Sequence, residues 1–357
     1  MPSALNITKA NTILPYFIFV FRRFNLRPNS RTKIPSLVLR MTKERFTEHW
    51  PDAFAGPHQR APSMHLSRYK YKILLWQHSQ SMLRCVGQVP PVCNVVEVVP
   101  GEIFTVESAT TFFGVPLSLR MVVVVLEDKE LLLYSPVLLT EEVQQFLHDL
   151  GTVRYLVAPN KLHNVHLTSY LQVYPKAKLY VPPGLAERCP GLVYAAVLGP
   201  DPEPAWSSIL DQALCSGSEY WAEVLLYHRR LRILIVGDFI ENFYDMDLDT
   251  TTLRAKLASK LFNVCGIQRY KPSISPENSI FVLYPETWLI SLRKLLGNKL
   301  DGKGGWDVQT IFMCHGRPMT GLEIKYVLVQ IILEAAHSYK RRWASTRLFY
   351  AMLGKWT

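Results

Sequence analysis

The chain has 357 residues, 48% of them hydrophobic and 19% charged, with a formal net charge of +11, a composition that excludes a largely disordered protein. The excess charge sits at the ends. Residues 1–43 hold eight Lys or Arg and residues 335–357 hold five, neither with an acid, so 27 of the 40 basic residues are left facing all 29 acidic ones. A body this close to neutral weighs against a phosphate-tracking groove, and so against a nucleic-acid partner.

Six scattered cysteines without a C-x-x-C pair read as reduced, mostly buried thiols rather than a disulfide framework. No run reaches the roughly eighteen apolar residues of a membrane span; the best, Ile13–Phe21, is short and interrupted by Pro15. Residues 1–93 form a basic leader and irregular linker. The leader is acid-free and rich in hydroxyl and amide residues, either an organelle transit segment or an extension with no structural role. The compartment expected is accordingly the cytoplasm, or a mitochondrion or plastid if the leader is a transit segment.

From Asn94 the pattern becomes strict. "NVVEVVPGEIFTVES" and "LSLRMVVVVLE" are β-branched runs, and "EDKE" turns into "LLLYSPV". "LTEEVQQFLHDLG" predicts a helix capped by Thr140, with Glu141 and Glu142 at the positive end of its dipole and Gly151 closing it. Strand "VRYLVA", a histidine segment, strand "AKLYVP" and a short helix at "PGLAERCPG" follow, the alternation of an α/β chain. "YWAEVLLYHRRLRILIVGDFIENF" reads as two strands about a basic turn. Residues 251–264 and "PETWLISLRKLLG" have helical spacing, "WDVQTIFMCHGRPM" is a last strand, and "LEIKYVLVQIILEAAHSYKRRW" a closing helix. The basic, aromatic tail beyond it serves as the helix's dipole-matched end or touches an acidic membrane or another protein.

Three apolar strands end in a residue able to bind a metal: "YLVAPNKLH", "LIVGD" and "IFMCHG". Beyond strand ends is where α/β sheets collect ligands, and imidazole and carboxylate suit zinc and other divalent ions. His163, His166, Asp238 and His315 are therefore the candidate ligands; His163 and His166, three apart, would share a face if their segment were helical. The bland alternative is that the histidines are structural and that Asp238 caps a turn. Glu241, three residues past Asp238, is a weak candidate for a general base. Cys215 and Cys314 are either inert buried thiols or stand-ins for an imidazole.

The order of these features resembles the metallo-β-lactamase-like superfamily, and more closely an uncharacterised branch of it built on a domain of unknown function. The resemblance covers residues 94–357 and implies a four-layer αββα sandwich of class α/β (α+β), with zinc or another divalent metal at one sheet edge. The motif is partly degenerate. "NKLHNVH" stands where the superfamily has H-x-H-x-D-H, and a later G-H is absent, while Asp238 and His315 match. The expectation is a hydrolase with at most one metal, or none, acting on a small molecule, or a binding or scaffold protein that keeps the fold but has lost the chemistry and meets a protein partner.

Overall fold

The computed structural model describes residues 86–88, 94–112, 115–218, 221–243, 272–275, 278, 282, 284–300 and 302–353. The candidate transit segment, residues 251–264 and the side chains of the basic tail from residue 340 lie outside that description.

The first sheet is built from β1 (Val86–Gln88), β2 (Asn94–Val99), β3 (Ile103–Phe112), β4 (Val115–Val125), β5 (Glu130–Tyr134), β6 (Thr152–Val157), β7 (Lys178–Val181) and β8 (Ala196–Val197), in the order β1-β3-β4-β5-β6-β7-β8 with β2 also on β3. It takes in Val86–Gln88, upstream of Asn94. Its early strands are antiparallel, and β5 to β8 run parallel. The second sheet is built from β9 (Leu210–Ser218), β10 (Trp221–His228), β11 (Ile233–Val236), β14 (Thr310–Met313) and β15 (Met319–Thr320), in the order β15-β14-β11-β10-β9. A separate two-stranded ladder joins β12 (Ile240–Glu241) to β13 (Ser273–Ile274).

Strand side chains alternate between faces, and the two cores follow that alternation. Val122, Val124, Leu132 and Tyr134 meet Val224, Leu226, Ile235 and Phe312 of the second sheet. Their neighbours Met121, Val123, Leu131 and Leu133 point the other way, onto Val143 and Leu147 of α1 (Glu141–Leu150), Leu167 and Tyr170 of α2 (Leu167–Val173) and Leu185 of α3 (Leu185–Arg188). On the far side of the second sheet, α4 (Pro285–Ser291) and α5 (Arg293–Leu296) follow one another, and α6 (Ile324–Leu353) closes the chain. Trp288 of α4 packs against Phe239, tilted, and against Tyr339, edge-on, with ring centroids 6.2 and 5.2 Å away. The result is helix, sheet, sheet, helix. Each fully buried Val or Leu in these runs contributes roughly 1.5–3 kcal/mol.

Two expectations about helix ends are refined. Thr140 is the N-cap, its side chain accepting the Val143 N–H at 3.3 Å. Gly151 does close α1, but at φ 170° its backbone is extended, a conformation open to any residue. Glycine is needed there for space: a Cβ would fall 2.2 Å from the Lys129 carbonyl oxygen. The strand β9, absent from the sequence reading, pairs along the whole of β10. Gly151→Ala is expected to lower stability by about 1–3 kcal/mol in a urea titration; a loss below about 0.5 kcal/mol would show that the loop around Lys129 gives way freely.

Candidate metal centre

The centre forms where three segments leave their strands: the turn after β6, the turn after β11, and the turn after β14. It is built first from a carboxylate that is not itself near the ligands' open side. Glu223, on β10, is fully buried. Its Oε1 accepts the N–H groups of Gly237 and Phe239 at 2.8 and 2.9 Å; its Oε2 accepts the N–H of Asp238 at 2.9 Å and the Asn160 amide at 3.0 Å. Burial, followed by the charge of Asp238, pushes this carboxyl up. The four N–H donors oppose that shift, because they occupy the lone pairs a proton would need and so bind the ionised form. Gly237 must be glycine for this geometry: a Cβ would lie 2.9 Å from Pro159 and 3.1 Å from the Asn160 amide nitrogen.

Held in this way, Asp238 turns Oδ2 to Asn160 Nδ2 at 3.0 Å and Oδ1 to two imidazoles, His163 Nε2 at 2.9 Å and His315 Nε2 at 3.2 Å. Burial disfavours its charge, but the two histidines outweigh that and hold its carboxyl well below the usual carboxylate range. The Asp238 carbonyl in turn accepts the Asn278 amide at 3.1 Å.

Each histidine is aimed by a partner on its other nitrogen. His315 Nδ1 lies 2.7 Å from the Ser118 carbonyl oxygen, which can only accept. Nδ1 therefore carries a proton, and Nε2 is the nitrogen left to face Asp238. His163 Nδ1 lies 2.7 Å from Ser135 Oγ. That hydroxyl can accept from or donate to the ring, and in either role it fixes the ring's orientation. Ser135 sits at φ 59°, in the left-handed region that non-glycine residues seldom adopt, at the end of β5.

The His315 turn is clamped to the first sheet. Arg120 of β4, almost wholly buried, donates through Nη1 to the carbonyls of Met313 and Gly316 at 2.7 and 2.9 Å, and pairs with Glu107 through Nη2 at 2.7 Å. The Gly316 N–H donates to Ser118 Oγ at 2.9 Å. Gly316 has φ 83°, and a Cβ would lie 2.2 Å from the Asn242 carbonyl oxygen, so the "HG" pair is a ligand followed by a required glycine.

Of the four predicted ligands, His163, Asp238 and His315 come together, with donor atoms all within 4.8 Å of one another. His166 is not in that group. Residues 161–166 are turns, and the helix begins at Leu167 with His166 as its N-cap, so the three-residue spacing does not put both rings on one face. Burial pushes the His166 imidazole down. Glu241 is buried on β12, paired against Ser273, and is also outside the group. Cys314 and Cys215 are buried thiols; burial pushes both well up, and Cys314 donates to the Val236 carbonyl at 3.4 Å. Glu223 escaped the sequence reading altogether.

The donor set fits a divalent ion. Two imidazole nitrogens and one carboxylate oxygen are a common set for zinc and for non-haem iron. Each histidine has an outer partner of the kind that orients metal ligands. Without an ion, His315 Nε2 needs a second ring proton to face a carboxylate at 3.2 Å; an ion would displace that proton.

The family model described as "Domain of unknown function (DUF4336)" matches residues 100–256, a span that includes Asn160, His163, Glu223 and Asp238 but not His315. No curated protein matches the chain. Solved structures similar to it include a metallo-beta-lactamase from Pontibacter korlensis (12% identity over 68% of this chain and 99% of that one, TM-score 0.44). Another is a metallo-beta-lactamase from Erythrobacter litoralis (14% identity, 69% and 92%, TM-score 0.43). A third, from Pseudomonas aeruginosa, is in a mono-zinc form (12% identity, 70% and 97%, TM-score 0.46).

Glu223→Gln replaces an acceptor with an amide that must point a donor at N–H groups. It is expected to cost about 2–4 kcal/mol of stability in denaturant titration. A loss under about 1 kcal/mol would mean that the 237–239 turn is held by other contacts.

Proposed function

We propose that the chain binds one divalent metal ion, zinc or a similar ion, through His163, Asp238 and His315, and that it is a metal-dependent hydrolase of a small molecule. The observation that carries this reading is the Nδ1–H bond from His315 to the Ser118 carbonyl, which turns Nε2, the nitrogen an ion would take, to a buried carboxylate beside a second imidazole. A divalent ion at such a position supplies Lewis acidity and a nucleophile at neutral pH. The chain's own residues hold the centre. Asp238 supplies the negative charge, Glu223 and Asn160 fix its orientation, and Ser118 and Ser135 fix the two rings.

A second reading has its own support. Among the described residues no further carboxylate joins the three ligands, and Glu241, the sequence's candidate base, stands outside the group. A protein that kept the fold and the ion but lost turnover, and that serves as a binding or scaffold protein, would look the same at the ligands.

Elemental analysis of the purified full chain by plasma mass spectrometry separates the bound from the metal-free case. About one equivalent of zinc, iron or manganese is expected, falling to below a tenth of that in Asp238→Ala and His315→Ala, while His166→Ala keeps it. A well-folded chain without metal, even after incubation with each ion, would overturn the proposal. Chelator-sensitive hydrolysis across ester, thioester and phosphoester reporters would favour the hydrolase over the scaffold.

A further inference from the structure

Asn160 is fully buried, and its amide nitrogen bridges two carboxylates, with Glu223 Oε2 and Asp238 Oδ2 each 3.0 Å away. Its orientation is set by the rest of the group: Oδ1 accepts the Leu162 N–H at 2.8 Å. A flipped amide would put its oxygen against two carboxylate oxygens and its NH2 against a donor. An amide nitrogen carries two hydrogens, and both are used here, one for each carboxylate. Two buried carboxylate oxygens from different segments, converging on one point, are a bridging position for a hard cation. In this chain a neutral NH2 group fills it.

We propose that Asn160 keeps the centre mononuclear by occupying the position a second cation would take, and that it leaves Asp238 with only Oδ1 to offer an ion. This deepens the metal-binding reading above and rests on it. Replacing the amide by a carboxylate adds one negative charge at the bridging point and removes the blocking hydrogens.

The test is a titration of the full chain with Mn²⁺ alone, read by retained metal after desalting and by electron paramagnetic resonance. Wild type is expected to hold one equivalent with an uncoupled spectrum. Asn160→Asp is expected to hold two, with the multiline spectrum of a coupled pair. Asn160→Ser removes the amide without adding charge and covers the case in which Asn160→Asp does not fold; it is expected to take up the second ion at higher Mn²⁺. Two equivalents in wild type, or one equivalent in a folded Asn160→Asp or Asn160→Ser, would overturn the assignment of Asn160 and leave the metal reading standing. No bound ion in wild type would overturn both.

Discussion

The candidate centre depends on one buried carboxyl group. Glu223 gathers three successive backbone N–H groups and a side-chain amide, and so ties the turn after β11 to the turn after β6. Backbone N–H groups at a sharp turn inside a protein must find acceptors or cost several kcal/mol. A single carboxylate satisfies all of those at Gly237, Asp238 and Phe239, and the turn can then carry an aspartate into the interior. Burying the negative charge of Asp238 beside it is costly in its own right. The cost is offset only because Asp238 faces two imidazoles and Glu223 faces donors on every lone pair.

The second dependence is between the sheets. His163 belongs to the first sheet's turns and His315 to the second's, so their meeting requires the two sheets to keep their relative position. The apolar layer between them, Val122, Leu132 and Val157 against Val224, Ile235 and Phe312, supplies adhesion without direction. Direction comes from Arg120 and Ser118, whose hydrogen bonds to Met313, Gly316 and His315 admit one alignment. The planar guanidinium is suited to that task, because its fork reaches two carbonyls and a carboxylate at once.

Much of this architecture is legible in the residues. β-branched runs marked the strands, Thr140 marked a helix start, and Asp238 and His315 were visible because each directly follows an apolar strand. Glu223 was not, for a physical reason. Every residue of β10 is buried, so the strand lacks the alternation that would single out an inward-facing polar position. Asn160 was seen only as a departure from a motif, because its work is to sit between two carboxylates 63 and 78 residues away in sequence. His166 misled because equal spacing has meaning only on a regular element, and Pro159 and Asn160 open a series of turns instead.

What the centre can do follows from which of its atoms water reaches. The side chains of Asp238 and His163 keep 5% and 6% of their surface, and that of His315 14%. The floor is therefore closed by Glu223, Asn160 and the intersheet core, and the way in passes His315. A group entering from that side would meet His315 first, while the far oxygen of Asp238 stays committed to Asn160. Side chains fixed around a buried floor would lower the ordering cost of binding an ion, since they are already in place. The same rigidity keeps Glu223 in a holding role, because each of its lone pairs already accepts an N–H.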